Sequence, residues 1–117
     1  MALKLAIVAT NPFALNRAKD QFVAQNIEDV IAVGGMSHAC QIQLVDGTVV
    51  KLLSEADWRR GAYCREPFDQ IFWVAHEALG IDFMLELQEC LKGSCVPEEL
   101  QWQKWEGVSG DGWKNQN

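Results

Sequence analysis

Two histidines, four cysteines and one arginine-rich loop are the residues of this 117-residue chain whose chemistry could go beyond folding. His76 precedes Glu77 at the carboxyl end of an apolar run, and His38 stands two positions before Cys40, so either pair could act as a general base. A nucleophile also needs a base within hydrogen-bond reach and a third group to orient that base. The chain has no G-x-S-x-G and no H-E-x-x-H, so both histidines read as satisfied or solvent-facing side chains. Cys40, Cys64, Cys90 and Cys95 include no C-x-x-C pair, and only Cys90 and Cys95 lie close together, at a spacing loose for zinc. Free thiols in a reducing compartment are expected, with no metal and no cofactor.

Two loops could hold a polar ligand. Thr10-Asn11-Pro12 follows an apolar strand and opens a helix, where backbone N–H groups attract anions. No G-x-x-x-x-G-K-[ST] and no G-x-G-x-x-G occurs, and Asn11 reads more simply as a helix cap. The second loop holds Trp58, Arg59, Arg60, Tyr63 and Arg65, a set suited to phosphate contact or base stacking, but Glu55, Asp57, Glu66 and Asp69 surround it and favour local ion pairing. A nucleotide or small-anion binder, or a minor hydrolase, would use Thr10, Asn11, Arg59, Arg60 and His76. Tryptophan is the stronger oddity: Trp102 and Trp105 on a short acidic segment and Trp113 near the end are costly to leave in water. Either they pack back over the sheet or, with Trp58, they anchor a partner.

The elements that must position these residues are legible in outline. Leu3 to Thr10 is a strand-length apolar run, as a strand covered on both faces requires. With no basic n-region and no cleavage site it is not a signal peptide, and no later run is long enough to span a bilayer. Asn11 caps a helix with Pro12 in its first position, Phe13 or Ala14, Ala18, Phe22 and Val23 recurring at helical spacing, and Asn26 at its end. Val30–Val33 is the next strand, and the strand–helix–strand succession implies a parallel crossover. Residues 39–45 and 48–53 flank Asp46-Gly47, the signature of a hairpin with a type I′ turn.

Ser54 caps a short helix with Asp57 in the capping-box position and Gly61 as its stop, and Phe68–Ala75 is a further buried strand. Apolar residues at 79, 83, 84, 87, 90 and 91 mark a helix ending at Gly93, its outer face carrying Asp82, Glu86 and Glu89. Pro97 opens a last helical turn with Trp102 and Trp105 one turn apart. The expected architecture is α/β: a small layered domain, in two or three layers, over residues 1–106. Its mixed, partly parallel sheet would comprise a βαβ unit, the hairpin and a further parallel strand, with 107–117 as a loose tail.

Composition bounds the function. With 49% hydrophobic and 22% charged residues the chain can bury a core. Its net charge is −6, and residues 54–117 hold all of the excess, twelve acids against six bases. Such a surface disfavours nucleic acid and favours basic protein partners.

The succession Lys4–Thr10, helix, Asp46-Gly47 hairpin, Arg60-Gly61 and then Phe68-Asp69 ahead of an apolar strand resembles the middle of the ATPase domain of phage terminase large subunits and related P-loop helicases. In that family a Walker A strand would lie ahead of residue 1, and an acidic pair would stand where this chain has Trp73 and Val74. The resemblance therefore implies a shortened, catalytically dead relative, an accessory or host-modulating factor of a phage or mobile element acting in the host cytoplasm. The resulting expectation is a non-catalytic, cytoplasmic protein that docks on another protein, with self-association through the hairpin edge as a further mode.

Overall fold

The computed structural model describes residues 2–34, 40–61, 63, 65–74 and 79–105. His38, Cys64, His76, Glu77, Trp113 and the tail 107–117 lie outside them. The chain runs β1 (Lys4–Ala9), α1 (Pro12–Gln25), β2 (Val30–Gly34), β3 (Gln41–Leu44), β4 (Val49–Ser54), α2 (Glu55–Arg59), β5 (Gln70–Val74), α3 (Ile81–Cys90), α4 (Glu98–Gln101) and β6 (Trp102–Trp105). Its six strands form one mixed sheet in the order β2-β3-β4-β1-β5-β6.

β1 is central because it alone is apolar enough to be covered everywhere: Leu5 to Ala9 are all buried. It pairs in parallel with β4 on one side and β5 on the other, so the strands starting near Leu3 and Phe68 are direct neighbours. Strand alternation then splits the core. Leu5, Ile7 and Ala9 meet Leu15, Ala18 and Phe22 of α1 on one face; Ala6 and Val8 meet Phe83 and Leu87 of α3 on the other. The domain thus has three layers.

The caps act as their residue types dictate. Asn11 Oδ1 accepts from the Ala14 amide at 3.1 Å with Pro12 in the first turn, and Asn26 closes α1 by donating to the Phe22 carbonyl. Leu15, Ala18 and Phe22 form the buried stripe of α1, while Phe13 faces solvent. Ser54 Oγ accepts from the Asp57 amide and donates to the Asp57 carboxylate, while the Ser54 amide donates to the Tyr63 hydroxyl. Gly61 and Gly93, both at positive φ, follow the ends of α2 and α3.

Three expectations are corrected. The strand at 30–34 runs in the direction of β1 but does not adjoin it: β2 is an edge strand, antiparallel to β3, because the six residues of β4 pair with β1 along its whole length. The hairpin's own edge is therefore covered by β2, which leaves Ile31 and Val33 exposed. The turn is not type I′. Among the described residues only glycines have positive φ, Gly47 among them, and the Gly47 amide donates to the Leu44 carbonyl while the Thr48 amide donates to Asp46 Oδ1. This is a three-residue loop with a glycine bulge, which needs one left-handed residue rather than two. Finally, Trp102 and Trp105 are not one helical turn apart. After the single turn of α4 the backbone extends and pairs in parallel with β5, so a spacing of three sends the two rings to opposite faces.

Candidate functional site: an apolar groove beside α3

Beyond β1, one face of the sheet is covered incompletely. α3 turns Phe83, Leu87 and Cys90 inward, and its next stripe, Ile81, Met84, Leu85 and Gln88, has the i, i+3, i+4, i+7 spacing of a second apolar face. The described residues leave most of that stripe open: Ile81 is 70% exposed and Leu85 60%. The sheet beside it presents Trp73 of β5 and Trp102 of β6, their ring centroids 6.2 Å apart. Trp102 Nε1 donates to Gln88 Oε1 at 2.8 Å and ties the β6 edge to the helix. The result is an open groove of about 580 Å³ with α3 as wall, the two indoles as floor and Leu79 beside them.

The opposite flank of α3 is polar and internally matched. Trp58 packs on Phe83 at 5.5 Å and on Tyr63 at 5.9 Å, and its Nε1 donates to Glu86 at 2.9 Å. Arg65 is ion-paired with Glu86, Arg60 with Asp57, and Arg59 with Glu55. The Glu55 carboxylate also accepts from the Gly80 amide at 3.0 Å, and a Cβ on Gly80 would lie 2.5 Å from Glu55 Oε2. Burial pushes the Glu55 carboxyl up, but the Gly80 amide and the Arg59 guanidinium outweigh it and hold the group below its ordinary range. Trp58, Arg59, Gly61, Tyr63, Arg65 and Glu86 surround a polar depression of about 490 Å³ whose guanidiniums are each already bound to a carboxylate.

The residues proposed from sequence thus separate. Thr10 and Asn11 stand at the carboxyl end of β1, joined to the start of α2 by an Ala56 amide that donates to the Thr10 carbonyl. Arg59 and Arg60 lie on and just after α2 but turn to their own carboxylates. Trp105, 4% exposed, packs back over the sheet against Phe22 and Phe72 with its Nε1 donating to Gln21, so it cannot anchor a partner. Trp58 is half-buried, and of the described tryptophans named as anchors Trp102 alone lines the groove. Trp73, Ile81, Met84 and Leu85 were missed, although the 81/84/85/88 spacing is a readable signal. Burial pushes the Cys40 and Cys90 thiols up, and Cys95 is exposed. Among the described residues no group of three or more His, Cys, Asp or Glu could hold a metal, and no helix is long and apolar enough to cross a membrane. No family model, curated protein or solved structure matches the chain.

Proposed function

We propose that this is a non-catalytic binding protein that docks another protein in the groove between α3 and the β5–β6 edge. The observation that carries this reading is the pair of exposed aliphatics, Ile81 and Leu85, standing over two half-buried indoles with nothing from the described chain upon them. Removing such side chains from water is worth roughly 1.5–3 kcal/mol each, and tryptophan in a partly formed pocket is a frequent binding anchor. The terminase resemblance would make the protein an accessory or host-modulating factor of a phage or mobile element, and docking is how a catalytically dead factor of that kind would act. In a pull-down from host lysate, wild type should retain a partner that a Leu85→Ser, Trp102→Ala double variant with an unchanged circular dichroism spectrum does not. A partner held equally by both proteins would contradict the assignment to this groove.

A further inference from the structure

We infer that the groove's occupant is an amphipathic helix of another protein, with an apolar stripe along one side and lysine or arginine beside it. This rests on the docking reading and goes further by stating the partner's chemistry.

Shape is the first ground. The wall is a ten-residue helix, about 15 Å long, lying over a sheet face. Helices on a sheet stand side by side at about 8–10 Å between axes, so the natural filling for a slot flanked by one helix is a second. Among the described residues the only helix between α3 and β6 along the chain is α4, a single turn. A peptide strand added to β6 would widen the floor but leave Ile81 and Leu85 bare.

Charge is the second ground. Asp82 follows Ile81, Glu89 follows Gln88, and Glu98 and Glu99 stand on the turn that leads into Trp102, all of them exposed. Arg65 and Lys92 are committed to Glu86 and Glu89, and Asp82 lies within electrostatic reach of Arg59, while Glu98 and Glu99 form no ion pair among the described residues. Lys104, opposite Trp73 in the β5–β6 register, is the one base contributed by β6. A second copy of this chain would bring another net −6 against these acids, and an anionic membrane or nucleic acid would be repelled likewise. A helix with basic flanks is attracted, and that attraction selects the partner more than it sets the affinity.

Three synthetic helical peptides test this by tryptophan fluorescence and calorimetry with the full chain. One carries leucine at i, i+3, i+4 and i+7 with lysine flanks, one replaces the lysines by glutamate, and one is the lysine peptide with a central proline. The lysine peptide should bind at least about tenfold tighter than either of the others and weaken with salt. Leu85→Ser should weaken its binding by about tenfold, and a Glu98→Gln, Glu99→Gln variant should bind but lose part of the preference for lysine. Equal affinity for the lysine and glutamate peptides, undiminished binding of the proline peptide, or wild-type binding by Leu85→Ser would overturn the inference. If the peptides fail in one of these ways while a neutral apolar dye still binds in a manner dependent on Leu85, the groove reading survives and only the partner's chemistry is wrong.

Discussion

Both flanks of α3 carry tryptophan, but they differ in what is left over. On the side of α2, Trp58, Arg65 and Glu86 satisfy one another, and Arg59, Glu55 and Gly80 form a second closed set. On the side of β6, one indole is tied to Gln88 and the aliphatics above it face water. A basic, aromatic loop looks like a ligand site in one dimension, but a guanidinium already paired in the fold must break that pair before it can bind anything else. Unmatched apolar surface has no such pair to break, which is why the docking proposal rests on the plainer flank.

The largest difference is expected between the two tryptophans of β6. Trp105→Ala should lose about 3–5 kcal/mol of unfolding free energy in urea titration, the usual range for a buried aromatic. Trp102→Ala should lose clearly less, because its ring is half-exposed. A larger loss at Trp102 would mean that the groove floor is core. Next in size, the Leu85→Ser, Trp102→Ala variant should weaken docking by about 10–100-fold, that is about 1.4–2.8 kcal/mol, while Arg65→Ala on the opposite flank leaves it unchanged.

A smaller effect concerns acid. Because the folded carboxyl of Glu55 titrates below its ordinary value, its contribution is present at neutral pH and is lost as pH falls through that lowered value. Urea midpoints measured across the acid range should fall for wild type and fall less steeply for Glu55→Gln; parallel curves would show that the Arg59 and Gly80 contacts add nothing. The smallest expected effect is none at all. Nucleotides and inorganic phosphate should not raise the melting temperature, since Arg59, Arg60 and Arg65 are already paired. A rise would revive the anion-binding reading.

What the sequence disclosed follows from how local each signal is. Asn11-Pro12, Ser54, Gly61 and Gly93 report on the few residues beside them, and the structure uses each as its type suggests. The apolar run of β1 marks a central strand because only burial on both faces tolerates it. The neighbours of β2 were not legible: Val-Ile-Ala-Val suits a buried strand, and only the competing pairing of β4 with β1 sends it to the edge. Nor was β6, four residues being too few to show a period of two, and a tryptophan spacing of three imitating a helix. The groove was half legible. Its wall has a helical period, but the inner stripe of α3 overlaps it in sequence, and the floor depends on strands about 30 residues apart coming side by side.

The most direct test of the unmatched groove needs no partner. Titrating the folded protein with a neutral, environment-sensitive dye such as N-phenylnaphthylamine should give one saturable site with energy transfer from tryptophan, lost in Leu85→Ser and retained in Arg65→Ala. Equal dye binding by wild type and Leu85→Ser, or none by wild type, would contradict the account.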